Sequence, residues 1–200
     1  MTARTHRRFP PELRTASVVP RWSIVWTLTK DNVAVHSFFV TFYAREIARI
    51  IKWQGDIGDL MFRALSHDLD ELQTGDIVSP VKAEIIDESR AEIYIDTKMR
   101  ERLPFVMADL DEISEETDEQ EDGEAWAIVK AADRLDALIF LLFEVRLGNN
   151  IISPNIPRAW NRFEAAWKNL PGDKDDLDRL WNTVIVPAVK AHEQSGGFGI

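Results

Sequence analysis

The chain has no cysteine among its 200 residues. That absence excludes disulfides, thiolate metal sites and a cysteine nucleophile, and it fits a reducing compartment. Histidine is nearly as scarce, with four residues, so any metal must be held by a few imidazoles together with carboxylates. No apolar run approaches the roughly 20 residues needed to span a bilayer. The first eight residues, Met1 to Arg8, lack the apolar stretch of a signal peptide. A cytoplasmic protein without a membrane partner is the expectation.

Basic surface is also missing. The formal net charge is −10, from 34 Asp and Glu against 24 Lys and Arg. The imbalance is local: from Asp109 to Glu124 there are ten acids and no base. Taking those ten from the 34 leaves 24 acids against 24 bases, so the remainder is formally neutral. Long nucleic acid is therefore not an expected partner, because phosphate contacts need a basic footprint. A small anionic ligand needs only a few cations and a metal. The acidic run itself has the composition of a solvated loop or an exposed helix.

What is present is mostly helical pattern. Two hundred residues suit one domain with its own core. The expected division is a loosely held N-terminal segment over 1–20, one domain over 21–192 and a short tail over 193–200. Arg21 to Thr27 is rich in β-branched and aromatic residues and reads as irregular chain or one short strand. Asp31 or Asn32 is a suitable N-cap for a helix running to about Trp53, with apolar residues recurring from Val33 to Ile51. His36 falls on that apolar face. Gly55 to Gly58 is a turn. A second helix over Asp59–Leu69, apolar at Leu60, Met61, Ala64 and Leu65, delivers His67 and Asp68 at its end. Pro80 and Pro104 bound a helical stretch over 81–102, with Ile85, Ile86, Ile93 and Met99 as its apolar points. Glu124 to Leu147 is a strongly apolar helix with Asp133 inside it, and two further helices follow over 157–170 and 174–192. Trp26, Trp53 and Trp126 read as core residues. Asp70 and Asp136 read as facing solvent or making local pairs.

Within this all-α chain, Ser66 to Lys82 concentrates the chemistry. His67 and Asp68 stand side by side, and Asp70, Glu71 and Asp76 follow. Imidazole and carboxylate together suit a divalent transition metal. Glu71, one helical turn on, is placed to handle a proton. Alone, a His-Asp pair at a helix end is as well explained as a hydrogen-bonded cap, and His36 as a core histidine with a satisfied hydrogen bond. A carboxylate inside an apolar helix, such as Asp133, must be paired, metal-bound or outward-facing. Taken together, His36, His67, Asp68 and Asp133 form a two-imidazole, two-carboxylate set from three helices, which leaves room for water on one ion.

That set is similar to the pattern of the HD-domain phosphohydrolases. Arg21-Trp22, Asn32 to Ser37, His67 to Asp76, Ser79 to Lys82, Lys130 to Asp133, Gly148 to Asn150 and Val186-Pro187 resemble the YfbR-like 5′-deoxynucleotidases over nearly the whole chain. One departure is Val35, where relatives often carry Glu before the histidine. The resemblance implies an all-α, single HD-domain helical bundle. It implies one divalent metal per subunit (Co²⁺, Mn²⁺, Zn²⁺ or Mg²⁺) on His36, His67, Asp68 and Asp133. It makes Glu71 the residue that positions or activates water, places Asp76 near the sugar and O5′, and offers Arg21, Lys82 and Lys130 to phosphate. Trp22 would exclude a 2′-hydroxyl, and Trp22-Ser23-Ile24 matches a base-pocket element of phage dNTP triphosphohydrolases. The expected substrate is a 2′-deoxynucleotide, cut as a monophosphate to release phosphate. The alternatives are a dNTP, possibly dATP in a phage-encoded enzyme working in the host cytoplasm, cut to release triphosphate, or a nucleotide-sensing module without turnover. A homodimer or higher homo-oligomer is expected from the same resemblance.

Overall fold

A computed structural model of the chain describes residues 10–75 and 88–194. Asp76 and Lys82, both expected near substrate, lie outside them, as do Ile85 and Ile86. A 3₁₀ turn at Pro11–Ser17 leads to an irregular segment and then α1 (Val33–Ile50), α2 (Ile57–Ser66) and the single turn α3 (Glu71–Thr74). There follow α4 (Glu88–Arg102), α5 (Pro104–Glu116) and the long α6 (Glu119–Arg146). After a second 3₁₀ stretch come α7 (Ile156–Trp167), α8 (Lys174–Leu180), one π-turn and α9 (Val186–Gln194). The described residues hold no strand. The short strand considered over 21–27 is a series of turns beside one isolated antiparallel bridge between Pro20 and Asn32.

The helix starts follow side-chain caps. Asn32 accepts from Val35 N at 3.0 Å, Asp56 from Asp59 N at 3.0 Å and Asp118 from Glu121 N at 2.9 Å. Each satisfies an amide that has no partner within its helix. The Asp118 cap explains why α6 begins five residues earlier than expected. Gly123 lies inside the helix instead of before it, and the acidic run becomes the end of α5 and the first turns of α6. Acids in that first turn also suit the positive end of the helix dipole.

The main core lies where α1, α2 and α6 to α9 meet. Val40, Ala44, Ile47, Leu60, Ile128, Leu138, Phe163 and Trp167 are all but fully buried there. Phe163, Trp167 and Trp181 pack ring against ring, and Trp167 Nε1 donates to Leu177 O at 3.1 Å. Ala and Val where α1 meets α6 allow close approach, which matters because both helices carry site residues. A smaller cluster of Ala16, Val19, Val33, Leu72, Met99 and Leu103 fixes α3 and α4 beside the start of α1.

Some apolar expectations fail. Trp26 is 75 % exposed and is not core; its backbone carbonyl, not its ring, is held, accepting from Asn149 Nδ2 at 2.8 Å. Leu65 and Ile93 also face outward, and Trp126 lies at the surface beneath the Arg63 guanidinium. Arg63 itself is buried and pairs with Asp122 at 2.7 Å, so part of the acidic run has a structural partner. Buried Glu144 accepts from Leu28 N (2.6 Å), Thr29 N (2.8 Å), the Thr29 hydroxyl and Asn149 Nδ2 (2.8 Å). It staples the segment before α1 to the last turns of α6.

Candidate metal centre

His36 lies in the first turns of α1 and is fully buried. Asp133 lies midway along α6, which packs along α1. His67 caps the C-terminus of α2, and the chain then turns tightly: Leu69 N bonds Ser66 O, Glu71 N bonds Asp68 O and Leu72 N bonds Leu69 O. The expected helix to Leu69 thus stops at Ser66. The change is functional in effect, because the tighter i→i+3 winding carries His67 and Asp68 out of the α2 register.

The four predicted ligands converge. Single ligand atoms of His36, His67 and Asp133 all lie within 4.8 Å of one another. Asp68 Oδ2 is 3.4 Å from His36 Nε2 and 3.3 Å from His67 Nε2, and Asp133 Oδ1 is 3.5 Å from His36 Nε2. Ligands each about 2.1 Å from one tetrahedral ion stand about 3.4 Å apart, so these separations match atoms that share an ion.

The tautomers agree with that use. His36 Nδ1 is 2.6 Å from Asp136 Oδ2, and His67 Nδ1 is 2.8 Å from Ala64 O. If each Nδ1 donates to its oxygen, each Nε2 is left with a lone pair directed at the centre. Both Nε2 atoms are buried and make no hydrogen bond. A buried polar nitrogen with no partner is costly, and a metal is the partner this donor set fits.

Electrostatics bind the cluster together. Burial works against a charged His36, but the hydrogen bond to Asp136 and the nearby Asp68 carboxylate outweigh it, and the imidazole is pushed up to about 9. Burial likewise opposes charge on Asp68; His36, His67 and Arg21 overcome it and hold the carboxyl well below the usual range. Arg21 Nη1 donates to Asp68 Oδ2 at 3.3 Å and its Nε is 3.6 Å from Asp31. Glu71 opens α3 one turn beyond the His-Asp pair, with its Oε2 buried.

Asp136 is the residue that sequence reasoning misplaced. It does not face solvent: it is 6 % exposed and fixes His36 from behind. A carboxylate behind a ligating imidazole orients the ring and raises its basicity. The signal was its spacing, three residues after Asp133 on one helix face.

Of the expected substrate residues, Arg21 stands beside Asp68, and partial burial lowers the Lys130 pKa against the pull of the Asp133 and Asp68 charges. Trp22 stacks on Phe140, centroids 5.2 Å apart and planes 11° apart, and holds a left-handed backbone at φ 59°. A bulky residue seldom adopts that conformation without a surrounding reason. Ile24 is 72 % exposed, and no described contact joins it to the cluster.

A helical fold with His and Asp converging from three elements is an arrangement that suits a metal-dependent hydrolase. The chain can be superposed on the cyanophage S-2L HD phosphohydrolase DatZ, a structure bound to dA and one catalytic Zn²⁺, with a TM-score of 0.67 at 22 % identity over 90 % of this chain and 94 % of that one. The PH0347 protein of Pyrococcus horikoshii gives a TM-score of 0.63 at 20 % identity, over 92 % and 95 % of the two chains. At such identities the likeness speaks for the fold. The family is fixed by sequence: residues 9–166 match the family model described as 5′-deoxynucleotidase YfbR-like. The 5′-deoxynucleotidase of Erwinia tasmaniensis is 32 % identical over 154 residues, covering 72 % of this chain and 77 % of that protein. The 5′-deoxynucleotidase YfbR of Salmonella arizonae is 31 % identical over 155 residues, covering 71 % and 75 %. The chain belongs to the YfbR-like 5′-deoxynucleotidase family.

Proposed function

We propose that this protein is a metal-dependent 5′-deoxynucleotidase, hydrolysing 2′-deoxynucleoside 5′-monophosphates to deoxynucleoside and phosphate. The observation that carries the reading is the convergence of His36 Nε2, His67 Nε2, Asp68 Oδ2 and Asp133 Oδ1, with neighbours 3.3–3.5 Å apart and both imidazole nitrogens unbonded. These four residues would hold one divalent ion; two nitrogens and two oxygens suit Zn²⁺, Mn²⁺ or Co²⁺. Such an ion supplies Lewis-acid polarisation of a phosphate oxygen and acidifies water.

The remaining work falls to the chain. Glu71 takes a proton from the attacking water and returns one to O5′. Arg21, already turned toward Asp68, meets the phosphate charge. Asp136 keeps the His36 ring in place. Trp22, braced by Phe140, forms the wall against the sugar and leaves no space for a 2′-hydroxyl. From the resemblance, Asp76 stands at the sugar side and Lys82 at the phosphate. In this reading the protein works as a homodimer or larger homo-oligomer. No described helix is long and apolar enough to cross a membrane.

A second reading, release of triphosphate from a dNTP, breaks the same bond between the α-phosphorus and O5′. It is favoured by the basic side chains beside Asp133. The test is product analysis with dAMP, AMP and dATP in the presence of Mn²⁺ or Co²⁺. Phosphate from dAMP but not from AMP supports the first reading, and triphosphate from dATP alone supports the second. No cleavage of any deoxynucleotide would leave a binding module.

A further inference from the structure

Arg21 is tied twice to the residue that leads into α1. Its backbone N–H donates to Asp31 O at 3.1 Å, and beside that bond Pro20 bridges Asn32 and Val33 N donates to Val19 O at 3.2 Å. Its side chain returns to the same residue: Nε lies 3.6 Å from Asp31 Oδ2, while Nη1 donates to Asp68 Oδ2 at 3.3 Å. The guanidinium is thus gripped between two carboxylates, one from the ligand set and one outside it. The Arg21 and Asp31 side chains are largely withdrawn from solvent, 13 % and 6 % exposed. The other Asp31 oxygen accepts from Asn32 N at 2.9 Å. The carboxylate is itself fixed, directly before the N-cap of the helix that carries His36.

An ion pair taken out of water adds little net stability, because the desolvation of both charges offsets their attraction. What this pair supplies is direction. A guanidinium is a rigid plane with N–H donors along its edges, so an acid on Nε fixes where the Nη groups point. Asp68 cannot do this alone. Its Oδ2 is also 3.4 Å from His36 Nε2 and 3.3 Å from His67 Nε2. As a metal ligand it shares its charge with the ion, which weakens its hold on Arg21. Asp31 keeps its full charge.

We infer that Asp31 is the positioning residue for Arg21, holding the guanidinium by Nε so that its Nη edge meets the substrate phosphate beside the metal centre. The inference rests on the proposed reading of that centre as the place where a deoxynucleotide phosphate binds. Asp31 touches neither substrate nor ion; its effect on binding passes through Arg21.

A double-mutant cycle on the full chain tests this, with Glu71→Gln present throughout to prevent turnover and one equivalent of Co²⁺ loaded. Calorimetric titration with dAMP compares Asp31→Asn, Arg21→Gln and the two together. Asn at 31 can still accept from Asn32 N but has lost the charge. Arg21→Gln is expected to weaken dAMP binding by about 10- to 100-fold, the range for a charge-assisted hydrogen bond. Asp31→Asn is expected to weaken it by about fivefold or more, yet to add nothing once Arg21 is replaced. Binding of 2′-deoxyadenosine, which has no phosphate, should change by less than about twofold in Asp31→Asn, a selectivity that general damage to the fold would not give. An unchanged dAMP affinity in either single variant, additive losses, or an equal loss for 2′-deoxyadenosine would refute the role of Asp31 while the deoxynucleotide reading stands. If the parent protein binds no dAMP, the deoxynucleotide reading falls and this inference with it.

Discussion

Replacing Asp136 by Asn perturbs the metal centre without touching a ligand. The side chain is nearly isosteric and its oxygen can still accept from His36 Nδ1, but the negative charge 2.6 Å from the ring is gone. Loss of such a partner typically lowers metal affinity by about 10- to 100-fold, or about 1.4 to 2.7 kcal/mol at 1.36 kcal/mol per tenfold. The pH dependence makes the prediction sharper. In the metal-free protein the His36 pKa is raised to about 9, with the Asp136 hydrogen bond the foremost cause that raises it against burial. The ion must displace that proton, so below pH 9 the unmodified protein loses about tenfold in apparent affinity per pH unit. Without the carboxylate, His36 returns toward or below its ordinary value near 6.5, and the variant suffers little proton competition until that pH. The variant should therefore be the weaker binder of Mn²⁺ at pH 8.5, by about 2- to 25-fold, near parity at pH 7.5 and the tighter binder at pH 6.5. Calorimetric titration at the three pH values reads this directly. Equal affinities at pH 8.5, or a gap independent of pH, would refute the role given to Asp136.

Other consequences follow from single residues. Glu71→Ala should lower kcat for deoxynucleotide hydrolysis by about 10²- to 10⁴-fold, the range of general acid–base catalysis, while stoichiometric metal measured by elemental analysis is retained. Glu144→Gln should cost about 2–3 kcal/mol at neutral pH, because an amide cannot accept from all four donors that meet this buried carboxylate. Burial opposes charge on Glu144, but Thr29, Asn149 and the Leu28 amide outweigh it and lower its pKa from the ordinary 4.5. Its stabilising contribution is thus complete above pH 4.5 and is lost as pH falls through the lower folded value. Urea melts should show the two proteins converging in that acid range. Trp167→Ala should destabilise by about 3–5 kcal/mol by opening the aromatic core, read as a shift in the urea midpoint. Trp22→Ala should narrow the kcat/KM preference for dAMP over AMP by at least tenfold.

Much of this was legible in the chain. The helices over α1, α2, α6 and α7 appear where apolar spacing puts them, and their caps, Asn32 and Asp118 among them, are ordinary Asn and Asp signals once the register is known. The metal set was legible because histidine is rare and because Asp133 interrupts an apolar helix. Asp136 and Glu144 carry the same signature in the same helix. They were harder to read because spacing shows which face a carboxylate shares but not what lies opposite it; the partners, His36 and the 28–29 amides, come from more than 90 residues away. Trp26 misled for a related reason. Its composition says core, yet its carbonyl is what Asn149 secures, leaving the ring outside. The tight turn after Ser66 had no periodic signal, since the pattern Leu65, Leu69, Leu72 suits a continuing helix as well as a kinked one.

The central claim is that His36, His67, Asp68 and Asp133 hold one ion that serves hydrolysis at a deoxynucleotide 5′-phosphate. The most direct measurement follows phosphate release from dAMP by protein stripped with chelator and then titrated with Co²⁺, beside Asp68→Ala treated identically. The account predicts no activity when stripped, recovery that saturates at one Co²⁺ per subunit, and neither metal uptake nor activity in the variant. Full activity without metal, or stoichiometric Co²⁺ and unchanged turnover in Asp68→Ala, would contradict it.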